Sequence, residues 1–286
     1  MKKYFSIILA LCLIFNVTIV SAKAKKKHKV VTTFKWQHIE KGLSAAVVKA
    51  PKITRISDSK VTILKIDPKY FKFDIISATE HDSLQRSVKE WSEMKGLVAA
   101  INAGMYGLDK HLLNMGYMKN FNHVNNPNFR DNYKAMAVFN PIDSTLPLFQ
   151  IVDLTNQSFD TYKNKYNSCT QCMRMIDNNG KPVEWIQKHK MRCSMVVLAV
   201  DKDGNALFIF TRTPYTPNEF SKFLLSLPIG IHSAMYLEGG PEASLYVNSG
   251  DTVIEKFGSY VSRTYAHDRN DKFRKMPNVI GIRRKS

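Results

Sequence analysis

The chain is poor in cysteine and in acidic side chains. Four cysteines are spread over 286 residues, too few for a small disulfide-stapled scaffold. Asp and Glu number 24 against 42 Lys and Arg, a formal charge of +18. That balance excludes an acidic solvating protein and favours anionic partners: phosphorylated sugars, polyanionic polymers, anionic lipid or nucleic acid. No internal repeat at solenoid spacing is present. No Pro- or Ser-rich linker divides the chain, and no recognisable nucleic-acid motif accompanies the basic residues. These runs, Lys25 to Lys29 and Arg283-Arg284-Lys285, read as solvated tails.

The N-terminus has three zones. Lys2 and Lys3 precede an almost entirely apolar run from Phe5 to Val20, and small residues follow at Val20-Ser21-Ala22 and Ala22-Lys23-Ala24. That order reads as a cleaved secretory signal over residues 1–24, followed by a basic lead-in over 25–33 and one domain over 34–286. The run is short for a membrane span of ~20 residues, so no stable membrane anchor is expected after cleavage. Leu11 stands before Cys12, where a lipoprotein signal wants a small residue. The location expected is the periplasm or the medium. Losing Lys2, Lys3 and Lys23 brings the charge from +18 to +15. Cys169, Cys172 and Cys193 remain. Cys-x-x-Cys with one further cysteine lacks the fourth ligand of a structural zinc site, and an oxidising compartment favours a disulfide between two of the three. No metal or cofactor is expected.

Periodicity predicts an α+β domain with mixed, largely antiparallel sheets and a few packed helices. Lys60 to Asp67 and Phe71 to Ala78 read as strands, paired antiparallel across the turn at Pro68. Ser83 to Lys95 reads as a helix with Asp82 as N-cap, Leu84, Val88 and Trp91 on one face, and Gly96 as the C-terminal cap. Leu97 to Ile101 is continuously apolar, like a strand buried on both faces, and runs into Asn102-Ala103-Gly104. Met195 to Val200 and Ala206 to Thr211 form a hairpin about Asp203-Gly204. Thr216-Pro217-Asn218-Glu219 opens a second helix with a capping box, ended by Pro228 and Gly230. A strand from Ser233 to Leu237 then runs into Glu238-Gly239-Gly240. Two helix-to-strand units thus end in a polar residue beside glycine. A buried strand is a rigid mount, and the loop at its end meets solvent; the glycines either make turns or open backbone N–H groups to a ligand.

The run Leu97 to Tyr106, with Asn102-Ala103-Gly104-Met105-Tyr106, resembles the Asn-Ala-Gly-Met-aromatic motif of the phosphodiester glycosidase family. Met115-Gly116-Tyr117-Met118 is similar to its following Gly-containing segment, and Arg192-Cys193-Ser194 to its hairpin entry. Ala234 to Ser244, with Leu237-Glu238-Gly239-Gly240, resembles its Leu-Asp-Gly-Gly motif. The ordered motifs span roughly Trp36 to Ile282. The resemblance implies hydrolysis of a sugar joined through its anomeric oxygen to a phosphodiester, with an anionic sugar-phosphate or polysaccharide as partner. It implies Glu238 as carboxylate nucleophile or stabiliser, Asn102 on a sugar hydroxyl or phosphate oxygen, and Arg192 as bidentate phosphate ligand. Gly104, Gly239, Gly240 and Ser244 would assist in binding.

The sequence departs from the family pattern twice. Glu238 stands where the family usually has Asp, and Gln171-Cys172-Met173-Arg174 keeps the family's glutamine but not its proline. Glu242 is a second candidate acid. His111 and His232 read as ordinary polar positions, and Met105, Met115 and Met118 as packing. A rival reading is a non-catalytic module that binds an anionic polysaccharide in the same pocket. A second carboxylate beside Glu238 favours the enzyme.

Overall fold

The computed structural model describes residues 34–51, 56–106, 112–186 and 191–285. The secretory signal, the basic lead-in and His111 lie outside these residues. In chain order the strands begin with β1 (Gln37–Glu40), β2 (Leu43–Lys49), β3 (Lys60–Ile66) and β4 (Phe71–Ser77). Helix α1 (Val88–Lys95) leads into β5 (Ala99–Asn102), β6 (Met118–Asn120), β7 (His123–Asn126), β8 (Ala135–Pro141) and β9 (Phe149–Asp153). A short α2 (Phe159–Lys163) precedes β10 (Tyr166–Ile176), β11 (Cys193–Asp201) and β12 (Ala206–Tyr215). Helix α3 (Pro217–Leu225) precedes β13 (Ile231–Gly239), β14 (Ser244–Ser249), β15 (Thr252–Phe257) and β16 (Asn278–Arg284).

The strands form two sheets. The larger has eleven strands in the order β1-β2-β3-β12-β11-β13-β10-β6-β7, with β8 and β9 branching from β10; the smaller runs β15-β14-β5-β16-β4. Every strand pairing among the described residues is antiparallel, so the expected mixture is absent and sheet predominates over helix. The main core lies between the sheets. Leu64, Val196, Leu198, Phe208 and Leu237 of the large sheet meet Phe73, Ile101, Leu245 and Ile280 of the small one, all fully or nearly fully buried. The outer face of the large sheet carries Val197, Ile209 and Tyr236 and is covered by Phe220 and Leu224 of α3. The outer face of the small sheet carries Ala100, Tyr246 and Val279 and is covered by Val88 and Trp91 of α1. Both central strands, β5 and β13, are therefore buried on two faces, which is why their sequences read as apolar runs without alternation.

Several expectations are corrected. β3 and β4 do not pair: β3 sits between β2 and β12, and β4 lies against β16 in the other sheet. The turn after Asp67 hands the chain across the core instead of closing a hairpin. The first helix starts at Val88, not Ser83, because Ser87 and Glu90 form a complete capping box, while Ser83 takes a left-handed φ of 60° and Arg86 bridges to Met276. Asp82 instead forms an ion pair with Arg86, and Leu84 is exposed. The basic C-terminus is no solvated tail. Arg283 and Arg284 complete β16, with Arg283 Nη1 2.6 Å from Asp74 Oδ2 and Arg284 Nε 2.7 Å from Glu40 Oε2.

The three cysteines are free thiols, which corrects the expected disulfide. Cys169 and Cys172 lie on one extended strand, β10, where three residues span roughly 10 Å, beyond the ~7 Å limit for a bridge. Cys193 lies on β11, with β13 between it and β10. Burial pushes the Cys169 and Cys193 thiols up to about 12.

Candidate active site

The two helix-to-strand units deliver their last residues to the same place. β5 ends at Asn102, and β14 starts beside it: the Ser244 N–H donates to Asn102 Oδ1 at 3.1 Å. β13 ends at Glu238-Gly239, and the single turn Gly240–Glu242 carries the chain from the large sheet into β14 of the small one. The junction between the sheets thus gathers Asn102, Glu238, Glu242 and Ser244. Ser244 Oγ donates to the Glu242 carbonyl at 3.0 Å and fixes that turn.

Glu238 is only partly accessible. Its Oε1 accepts the Gly239 N–H at 3.0 Å, and its Oε2 accepts the Tyr106 N–H at 3.3 Å. The Tyr106 hydroxyl in turn donates to the Asn278 carbonyl at 3.1 Å, so one residue ties β13 to the ends of β5 and β16. Desolvation raises the Glu238 pKa to about 7; the charge of Glu242 pushes the same way, and the two N–H donors oppose it. Glu242 is also raised, chiefly by desolvation, with Arg274 pulling it down. Two carboxylates with raised pKa, one of them pushed up by the other's charge, share this site, the feature that favours an enzyme over a binding module.

The other sequence candidates have defined places. Arg192 stands at the start of β11 with Nη2 2.6 Å from Glu219 Oε1, the acid of the α3 capping box. One of its five N–H groups is thereby engaged with a protein carboxylate. The glycines answer to packing. A Cβ on Gly239 would lie 2.7 Å from the Ser194 carbonyl and 2.8 Å from Cys193 Sγ, and one on Gly104 would overlap Asn114 Oδ1. Gln171 is a clamp: its Oε1 accepts from the Tyr117 and Arg130 N–H groups, and its Nε2 donates to the Arg130 and Tyr133 carbonyls. Met105 and Met115 pack on the core beside Met118, and His232 is exposed.

Sequence reasoning missed three contributors. Tyr106 was seen only as a motif position. Asn278 and Arg274 were not singled out, because the stretch before β16 reads as an ordinary loop. The structure marks Tyr106 through its bonds to Glu238 and Asn278, and the other two through polar atoms without partners among the described residues. Asn102 Nδ2, Asn278 Nδ2 and Oδ1, and Arg274 Nε are buried without a hydrogen-bond partner, although Asn102 and Asn278 have no exposed surface. Buried polar groups are ordinarily paired, and these four of the unpartnered atoms lie at the end of β5 and in or just before the start of β16.

The sequence profile of the phosphodiester glycosidase family matches residues 95–283, from the end of α1 through β16. The chain belongs to the phosphodiester glycosidase family. That membership agrees with the resemblance read from the sequence. A hypothetical protein from Synechocystis has a similar fold, with 14% identity and a TM-score of 0.60 over 87% of this chain and 63% of that one. This chain therefore spans less than two thirds of that relative's length. The zebrafish N-acetylglucosamine-1-phosphodiester alpha-N-acetylglucosaminidase catalytic domain, auto-inhibited by its pro-peptide, aligns with 13% identity and a TM-score of 0.57 over 89% of each chain. These two likenesses concern the fold alone. A search of curated protein sequences finds no match to this chain.

Proposed function

We propose that this phosphodiester glycosidase is an exported enzyme that cleaves the bond between an anomeric carbon and a phosphodiester oxygen in an envelope or extracellular glycoconjugate. The three-zone N-terminus supports export. The single observation that carries the chemistry is the Glu238–Glu242 pair at the junction of the sheets, with the pKa of Glu238 raised to about 7. The name of the zebrafish enzyme points to the same linkage, an N-acetylglucosamine 1-phosphodiester.

The chemistry follows from the leaving group. When the anomeric C–O bond breaks, its electron pair goes to a phosphate oxygen and a phosphomonoester leaves, so strong protonation of the leaving group is not required. The demanding steps are activation of water and support of a cation-like sugar. Glu238, ionised, takes a proton from the attacking water, and its raised pKa makes it a stronger base than an ordinary carboxylate. Glu242, raised by desolvation against the pull of a backbone N–H and of Arg274, supplies negative charge to the developing sugar cation when ionised. Asn102 Nδ2, without a partner among the described residues, donates to a sugar hydroxyl or a phosphate oxygen. Arg192 adds positive charge from the β11 side, and the backbone at Gly104, Gly239 and Gly240, with Ser244 behind the turn, shapes the floor.

A pH profile tests the assignment. If ionised Glu238 is the base, kcat/KM on a glycosyl 1-phosphodiester rises with pH through about 7 and then levels. A profile flat from pH 5 to 9 removes Glu238 from that role.

A further inference from the structure

We infer that Arg274 is the principal ligand of the substrate's phosphodiester anion. The inference rests on the glycosyl-phosphodiester reading above and assigns a residue that neither the motifs nor the family resemblance singled out.

Arg274 is aimed at the carboxylate turn by the loop that precedes β16. Within that loop Val261 and Tyr265 exchange two backbone hydrogen bonds, of 3.0 and 2.9 Å. Val261 lies directly on Gly240. A Cβ added there would overlap Val261 Cγ2, and the same point is 3.5 Å from Glu242 Oε2. The Val261–Tyr265 turn therefore caps the Gly240–Glu242 turn. Arg274 Nη2 donates to the Tyr265 hydroxyl at 3.1 Å, and its guanidinium stands 5.7 Å from the Tyr265 ring centroid. The group is thus held against the wall of the site, and its charge acts on Glu242.

What remains unsatisfied is Nε, which is buried and has no hydrogen-bond partner. A desolvated donor on a charged group is expensive to leave unmade. Arg212, whose guanidinium binds the same loop, shows the contrast. Its Nε donates to Asp268 Oδ1 at 2.8 Å, its Nη1 to the Phe257 carbonyl at 3.0 Å and its Nη2 to the Asn270 carbonyl at 2.8 Å. Arg212 is a structural clamp with all three nitrogens engaged, whereas Arg274 leaves its buried Nε without a partner among the described residues and commits Nη2 to a single neutral hydroxyl. Nε and the neighbouring Nη2, which has a second N–H beyond the one given to Tyr265, form the side of the guanidinium that matches two oxygens of one phosphate. Four residues further on, Asn278 presents two more orphaned polar atoms. The segment leading into β16 thus carries two unpartnered donors, Arg274 Nε and Asn278 Nδ2, and one unpartnered acceptor, Asn278 Oδ1. Arg192, by comparison, already faces Glu219 at 2.6 Å.

The test uses the full mature chain and the variants Arg274→Lys, Arg274→Met and Arg192→Lys. Two readouts are taken: steady-state kinetics on a glycosyl 1-phosphodiester, and binding of inorganic phosphate by calorimetry. Arg274→Lys keeps the charge but loses the fork, so kcat/KM and phosphate affinity should each fall by about tenfold or more. Arg274→Met should fall further, and both losses should exceed that of Arg192→Lys. Thermal unfolding checks that each variant is folded. Should Arg274→Met fail to fold, the lysine variant decides the matter. Wild-type kinetics and phosphate binding in Arg274→Lys, or a larger loss in Arg192→Lys, would overturn the assignment. If the wild-type protein turns over no glycosyl phosphodiester, the functional reading falls while the phosphate-binding arm still decides Arg274.

Discussion

The two helix-to-strand units of this protein are built alike and end differently. α1 and α3 each open with a complete capping box, Ser87 with Glu90 and Thr216 with Glu219. Each covers the outer face of a sheet, and each leads to a central strand buried on both faces, β5 or β13. The first strand ends in a neutral amide, Asn102, whose Oδ1 is used to hold β14. The second ends in a carboxylate, Glu238, that is held by two N–H groups and pushed toward pKa 7. The shared architecture positions both residues, and in the proposed chemistry the difference between amide and carboxylate decides which of them moves a proton. A rigid mount explains where a group is; its desolvation and its neighbours explain what it can do.

The most damaging way to break this comparison is to make the second unit end like the first. Glu238→Gln keeps size and hydrogen-bonding capacity but removes the base. kcat should fall by at least ~100-fold, about 2.7 kcal/mol, with KM nearly unchanged, as expected for an interaction made mainly in the transition state. Steady-state kinetics read this directly, and wild-type kcat in the variant would move the role to Glu242.

The same substitution should act oppositely on stability. The folded protein holds the Glu238 proton more tightly than the unfolded chain does, because its pKa is raised from 4.5 to about 7. Stability contributed by the neutral carboxyl is therefore present at low pH and is lost as pH climbs through that window. Glutamine never ionises, so Glu238→Gln should be more stable than wild type by roughly 2 kcal/mol at pH 8, after discounting for partial exposure, and equal to it at pH 4. Denaturant midpoints at the two pH values check the sign; a variant less stable at pH 8 would mean that the carboxylate is welcomed by its surroundings.

The smallest effect sharpens the comparison between the helices. Ser87→Ala and Thr216→Ala should each cost about 1 kcal/mol by loss of a cap. The Thr216 hydroxyl also lies 3.2 Å from Glu219 Oε2, and Glu219 holds Arg192. Only Thr216→Ala should therefore disturb activity beyond its effect on stability. Equal kcat/KM in the two variants, at matched folded fraction, would show that the Glu219–Arg192 pair does not reach the site.

Much of this organisation was legible in the sequence where signals were local. The Asp203-Gly204 turn specified the β11–β12 hairpin. Thr216-Pro217-Asn218-Glu219 specified the start of α3, and the apolar runs before Asn102 and Glu238 specified two buried strands. The family resemblance then placed Asn102 and Glu238 in one site. What could not be read was long-range. β3 and β4 are adjacent in sequence, but their partners β12 and β16 lie more than a hundred residues away, so the short turn at Pro68 suggested a hairpin that does not form. Arg283 and Arg284 looked like a tail because Asp74 and Glu40, which pair with them, are equally remote. Cys169-x-x-Cys172 looked like a bridge only until its strand placed the thiols on different cores. Arg274 and Asn278 carry no local motif; buried polar atoms without partners, taken with their place beside the carboxylate turn and the end of β5, bring them forward.

The central claim is that water attacks the anomeric carbon and that the phosphate leaves with its own oxygens. The measurement that tests it most directly is hydrolysis of a glycosyl 1-phosphodiester in ¹⁸O-labelled water, followed by ³¹P NMR of the phosphomonoester released. Cleavage of the sugar carbon–oxygen bond leaves the phosphorus signal without an isotope shift, with the label in the anomeric hydroxyl of the sugar. An ¹⁸O-shifted phosphorus signal would show attack at phosphorus and would contradict the assignment of Glu238 and Glu242 to glycosidic chemistry.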